Sequence, residues 1–147
     1  MEKFVDVILP LPLHACFTYS LPEDMAESVQ IGCRVVVPFG RKKYYTAIVQ
    51  NIHYSAPAGY EVKEVSALLD AHPILLPEQF RFWDWLADYY LCTRGDVYKA
   101  ALPSGLKLES ETIVEYNPDF ESDVQLPEKE QKILDLLAAE PEQCITK

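Results

Sequence analysis

Residues 32–52 read GCRVVVPFGRKKYYTAIVQNI, and this stretch decides the fold. Val35, Val36 and Val37 follow one another, and Tyr44–Ile52 is again rich in β-branched and aromatic types. Such residues fit a pleated, half-buried surface, so 34–39 and 44–52 read as strands. Between them GRKK holds a glycine and three cations, the composition of a turn. Upstream, FVDVIL (4–9) and FTYSL (17–21) read as two further strands. The PLPLHA that links them carries two prolines, which cannot donate to a ladder, so it lies outside the sheet. Residues 22–32 read as a loop and SAPAGY (55–60) as a turn. EVKEVSALLD (61–70) fits a fifth strand, although Val62, Val65 and Leu68 also fit a helical spacing.

Past residue 76 the period changes. Pro77 suits a first helical position, where its missing N–H costs nothing. Phe80, Trp83, Ala87 and Tyr90 then fall on one stripe at helical spacing. Trp85 lies off that stripe and is expected to cover a neighbouring element. Thr93 is placed to cap a second helix, GDVYKAAL, that stops before Pro103. The fold class expected is mainly β with helices, an OB-like or barrel-like module over 1–105 closed by a helical hairpin. Residues 106–125 read as an acidic linker or hairpin around TIVEY (112–116). Pro127 opens a further helix with Ile133, Leu134 and Leu137 on its apolar face, and the start of another helix is expected at 145–147.

The chain has 147 residues, 49% of them hydrophobic and 12% aromatic, enough to build a core and to exclude global disorder. No secretory leader or membrane span is read in it, so the expected location is the cytoplasm. Net charge is −10. Its distribution matters more than its total. Residues 1–105 hold nine basic and twelve acidic side chains, and 106–147 hold four and eleven. Within 32–63, five cations (Arg34, Arg41, Lys42, Lys43, Lys63) face the single acid Glu61. An acidic chain can therefore still show phosphate a basic face.

Cys16, Cys33, Cys92 and Cys144 form no C-x-x-C pair, and His14, His53 and His72 stand apart from them. Zinc ligands usually come in close pairs, so no metal site is expected and the cysteines read as buried, reduced thiols. A phosphate loop, a nucleophile elbow and H-E-x-x-H are all missing from the sequence. No catalytic residue and no cofactor are assigned to this chain.

Three segments become specific when read in order: PLPLHACFTYSLP, GCRVVVPFGRKKYYTAIV and WLADYYLCTRGDVYKAALP. Together, over about 4–105, they resemble the N-terminal DNA-binding region of the primosomal protein N′-type replication-restart helicases, the PriA family. LPEKEQKILDLLAA is similar to the first helix of the winged-helix unit that follows in that family, which would make 126–147 the start of a truncated winged-helix domain. The resemblance implies recognition of the 3′ end of the leading strand at stalled forks, directing helicase loading and primosome assembly. It assigns the end-binding site to the triplet Phe17, Thr18 and Tyr19, the turn Pro38-Phe39-Gly40, and Lys63. Relatives often carry aspartate where Thr18 stands, so Thr18→Asp is expected to sharpen end recognition. The implied partners are branched or forked DNA with a free 3′-hydroxyl, single-strand DNA-binding protein and other primosome proteins. ATP and zinc, with 3′–5′ helicase activity, are implied only for the rest of the full-length protein.

Physical reading adds to this and partly competes with it. Alternation puts Phe17 and Tyr19 on one face of a strand and Thr18 on the other. Strand aromatics usually pack, which favours Phe17 and Tyr19 as core and leaves Thr18 facing the ligand. Arg41, Lys42 and Lys43 at a turn are free to meet phosphates or to remain solvated, and Tyr44 and Tyr45 offer stacking faces. Arg34 reads as a surface partner for a carboxylate. The competing function is an OB-like or formyltransferase-tail-like protein-interaction module with no nucleic-acid role, for which the overall acidity speaks.

Overall fold

The computed structural model describes residues 2–57, 59, 61–108, 113–114, 117, 126–139 and 145–146. Five strands, β1 (Phe4–Ile8), β2 (Phe17–Ser20), β3 (Arg34–Phe39), β4 (Lys43–His53) and β5 (Ala67–Leu68), form one antiparallel sheet in the order β2-β1-β4-β3-β5. The long strand β4 pairs with β1 on one side and β3 on the other, so Thr46, Ala47, Ile48 and Val49 are buried without interruption. That continuous run marks a strand covered on both faces. The pairing of β1 with β4 shifts between Asp6 and Val7, a bulge that bends the sheet.

One sheet face encloses Val5, Val7, Leu9, Tyr19, Val35, Val37, Ala47, Val49 and Val65. The edges around this core are joined by main-chain hydrogen bonds from the segment 63–68. Ser20 donates to Lys63 O at 3.0 Å, Val65 to Ser20 O at 3.0 Å, and Ser66 to Val36 O at 2.8 Å. The segment therefore pairs with β2 and β3 in turn, and the sheet curls into the expected barrel-like closure. Only Ala67–Leu68 of it is regular strand.

The helices cover the other face. Helix α1 (Pro77–Tyr90) starts at Pro77, and the Gln79 side chain accepts from Leu76 N at 2.8 Å. Helix α2 (Arg94–Ala101) starts with a capping box: Asp96 N donates to Thr93 Oγ1 at 3.1 Å, and Thr93 N to Asp96 Oδ2 at 3.0 Å. Trp83, Ala87, Val97 and Tyr98 pack on Ile8 and Ile48. Tyr98, fully buried, stacks on Trp83 and donates to Thr46 O at 2.8 Å. Burial pushes its phenol well above the ordinary range, which keeps it a neutral donor. Gly95, in the first turn of α2, touches the loop after β1; a Cβ there would overlap the carbonyl oxygens of Leu9 and Leu11.

Arg34 is held more deeply than a surface cation. Its side chain is 14% exposed and meets Asp70 at 2.6 Å, and its Nη1 donates to Leu106 O at 2.8 Å. The guanidinium holds the Asp70 carboxyl below its usual 3.8, against the opposing effect of burial. Two other expectations are corrected. Trp85 covers no neighbour: it is exposed and lies stacked between Phe82 and Tyr89 on the outer face of α1. Cys16 is exposed, its thiol 3.6 Å from Gln50 Oε1, whereas Cys33 is buried; Cys144 lies outside the described residues.

Residues 111–147 form a separate compact unit. In it α3 (Glu128–Ala139) follows Pro127, with Leu137 buried and Ile133 and Leu134 partly exposed. Ile113–Val114, here β6, pairs antiparallel with Ile145–Thr146, here β7. In place of the helix start expected at 145–147, Ile145–Thr146 is strand, because this β-branched pair finds its partner in Ile113–Val114; Lys147 lies outside the described residues. Apart from Ile113, Val114 and Asn117, residues 109–125 lie outside the described residues.

Two outcomes follow for stability. Because Asp70 has a lowered folded pKa, its contribution is present above pH 3.8 and lost as pH falls through the lower folded value. Asp70→Asn is expected to cost roughly 3 kcal/mol at neutral pH, since it strands a mostly buried guanidinium. The difference from wild type should shrink below pH 3.8 in urea titrations at stepped pH. Leu91, which ends α1, has φ 53° and is 92% exposed. Left-handed backbone costs a leucine roughly 1–2 kcal/mol, part of which glycine offsets by its greater unfolded entropy. Leu91→Gly should therefore raise stability by about 0.5–1 kcal/mol, read as a higher thermal midpoint.

Candidate nucleic-acid interface

Strand alternation turns Phe17 and Tyr19 inward, and both pack. Tyr19 is buried and its hydroxyl donates to Pro38 O at 3.1 Å. The Phe17 ring meets Phe39 edge-on at 5.1 Å, and Phe39 meets Tyr45 at 6.0 Å. These contacts join β2 to the hairpin of β3 and β4, although the two are not neighbours in the sheet order. Gly40 opens the hairpin turn with φ +69°, a conformation side chains rarely adopt. Its carbonyl accepts from Lys63 Nζ at 2.6 Å. Lys63 itself is carried on the segment that closes the barrel.

A depression of about 180 Å³ results, lined by Phe17, Thr18, Tyr19, Pro38, Phe39, Gly40, Glu61 and Lys63. All three residues of the triplet, the whole Pro-Phe-Gly turn and Lys63 thus meet at one place. Glu61 joins them, an acid the sequence showed only as an isolated charge among cations. The floor is aromatic and the rim carries one ammonium and one carboxylate.

Thr18 does not offer its hydroxyl freely, contrary to expectation. It pairs across from Asp6 in the sheet and donates to Asp6 Oδ1 at 2.7 Å. Asn51 Nδ2 donates to Asp6 Oδ2 at 3.2 Å, and His53 Nε2 lies 3.2 Å from Oδ1. A carboxylate only accepts, so the His53 nitrogen facing it is the protonated one. Burial pushes the Asp6 pKa up, yet the bonds from Thr18, Asn51 and His53 outweigh it and hold the group below 3.8. Sequence reasoning missed this cluster; a lone aspartate inside FVDVIL was its one visible trace. Thr18→Asp would set a second carboxylate against Asp6, so the expected gain from that change is withdrawn.

Arg41, Lys42 and Lys43 are exposed at the hairpin tip and are engaged in no ion pair among the described residues. None of the three lines the depression. Arg34 is taken up by Asp70, and Arg94 by Asp84 at 2.5 Å.

Comparison with known proteins places this geometry. A family model described as the 3′DNA-binding domain of PriA matches residues 6–103, and a winged helix domain model matches 111–147. The replication restart protein PriA of Haemophilus influenzae is 38% identical over 108 residues, 71% of this chain and 14% of that protein. That of Bacillus subtilis is 32% identical over 120 residues, covering 80% and 15%; that of Treponema pallidum is 28% identical over 108 residues, covering 71% and 16%. The chain thus spans about one-seventh of the length of these relatives. A domain model matching most of the chain and relatives 38% and 32% identical over 71% and 80% of it agree: the chain belongs to the PriA replication-restart family and carries its 3′DNA-binding domain.

Proposed function

We infer that residues 1–105 capture the 3′-terminal nucleotide of a DNA strand in the depression between β2 and the Gly40 turn. Full-length protein, a 3′–5′ helicase driven by ATP in this reading, is thereby placed on stalled forks in the cytoplasm for primosome assembly. Branched or forked DNA with a free 3′-hydroxyl is the partner, with single-strand DNA-binding protein and other primosome proteins acting on the larger protein. ATP and zinc are assigned to the rest of that protein, and none to this chain. Residues 106–110 are then a short connection to the winged-helix domain over 111–147, so the acidic stretch 111–125 expected as a linker belongs to that domain and does not lead up to a start at 126.

The observation that supports this most is convergence. Residues from 17 to 63 meet at one aromatic-floored depression whose volume, about 180 Å³, is of the size of a terminal sugar. A base can lie against one of the two aromatic rings, Phe17 or Phe39, that floor the depression, and stacking on a ring face is worth roughly 1–3 kcal/mol. With the Thr18 hydroxyl committed to Asp6, reading of the end falls to main-chain groups at the turn and to Lys63. Glu61 opposes an added phosphate by like charge.

Binding to oligonucleotides ending in a 3′-hydroxyl should exceed binding to those ending in a 3′-phosphate by about 1–2 kcal/mol, a factor of roughly 5–30 at one salt concentration. Fluorescence anisotropy measures both. Glu61→Gln should narrow the ratio. Gly40→Leu should abolish it, since a side chain strains the positive φ that sets the turn at the depression's edge. Equal affinity of the unaltered chain for both ends would remove the reading in favour of a protein-interaction module.

A further inference from the structure

A second cleft, of about 330 Å³, lies between the start of β4 and the end of α2, and it shares no lining residue with the depression. Three lysines from three separate places meet there: Lys43 at the first position of β4, Lys99 in the last turn of α2, and Lys107 just after the 3₁₀ turn Ser104–Leu106. Tyr44 and Tyr45 supply its aromatic wall, and no carboxylate lines it. In a chain of net charge −10, a concave site with three cations and no acid is an electrostatic exception.

The site is built, not merely crowded. Thr46, buried beneath it, accepts from Leu108 N at 3.0 Å and donates to Leu108 O at 3.0 Å. That pair fixes residues 107–108 against β4. Lys107 Nζ donates to Lys99 O at 2.6 Å, which leaves two of its protons for a ligand. Asp96, the acid nearest along α2, has its carboxylate engaged by Thr93. Among the described residues none of the three ammonium groups is paired with a carboxylate.

We propose that this cleft is a second DNA contact, holding the phosphodiester backbone of the strand whose end lies in the depression. It rests on the end-binding reading given above. Gly40 on the depression and Lys43 on the cleft are three residues apart, at most about 11 Å between their Cα atoms. At roughly 3.4 Å of rise per nucleotide, that span reaches on the order of three nucleotides from the captured end. The aromatic rim adds a face for a base, and the three lysines neutralise the phosphates that follow.

The test compares Lys99→Gln/Lys107→Gln with a control, Arg81→Gln/Lys129→Gln, that removes the same charge from exposed positions elsewhere. Both are measured in the full chain, on oligonucleotides with a 3′-hydroxyl, across a salt series. The cleft variant should lose roughly tenfold in affinity, and its log–log salt slope should flatten by about 0.7 for each phosphate contact removed. Its preference for hydroxyl over phosphate ends should stay that of wild type, because the depression is untouched. An oligonucleotide of two residues should bind wild type and the cleft variant alike. Unchanged affinity and slope, or an equal loss in the control, would overturn the proposal. Absence of any end preference in wild type would instead sink the reading it rests on. If the double variant fails to fold by circular dichroism, Lys43→Gln, exposed at the strand start, carries the same comparison with half the expected slope change.

Discussion

Everything at the candidate site depends on six residues, 63–68, that hydrogen-bond to two strands at once. A curled sheet of this size has two open edges, and open edges are both unsatisfied and prone to pair with other chains. Here the main chain of 63–66 takes Ser20 on one side and Val36 on the other. Closing the sheet in this way brings Phe17 against Phe39, encloses Val65 in the core, and leaves Lys63 at the mouth of the gap. The depression is what remains where closure is incomplete. Its contents are therefore set by the same residues that hold the barrel shut, so the candidate site and the fold's closure share one segment.

Much of this was legible because the signals are local. The three valines at 35–37, the long run from Tyr44, the Gly40 turn, Pro77 and the Thr93 cap all announce themselves within a few residues, and each element stands where expected. Segment 61–70 was ambiguous for a physical reason: it is mostly an irregular bridge between two edges, so neither a period of two nor one of 3.6 describes it. Thr18 was misjudged because its partner, Asp6, lies on the neighbouring strand, and pair registers are not written in spacing. Arg34 and Asp70 are 36 residues apart, and the bulge at Asp6 has no sequence mark at all. The motif residues of the depression could be named from the chain alone through family likeness. Lys99 and Lys107 could not, since only the fold brings them beside Lys43.

Net charge misleads for a related reason. Acidity argues for a protein partner only if it is spread evenly, and here it is not. Eleven of the 23 acids fall in residues 106–147, while the hairpin and the cleft beside it present cations with aromatic neighbours. The field a phosphate meets is set within a Debye length, about 8–10 Å at moderate salt, so distant carboxylates act mainly by slowing non-specific encounters. An acidic body with small basic contacts favours ligands that reach those contacts in the right geometry over long nucleic acid in general.

The glycine at position 95 has a consequence for how the protein comes into being. The first turn of α2 lies directly on the carbonyls of Leu9 and Leu11, so the loop between β1 and β2 takes its final path only against that helix. The two strands it joins are made well before the surface that seats their connection, which lies some eighty-five residues downstream. During synthesis the amino-terminal strands must wait, paired at best among themselves, until α2 has left the ribosome. Completion of this domain on the nascent chain is thus timed by a helix near its carboxyl end, and a pause before that point would prolong the interval in which the loop and the exposed thiol of Cys16 lack their final surroundings.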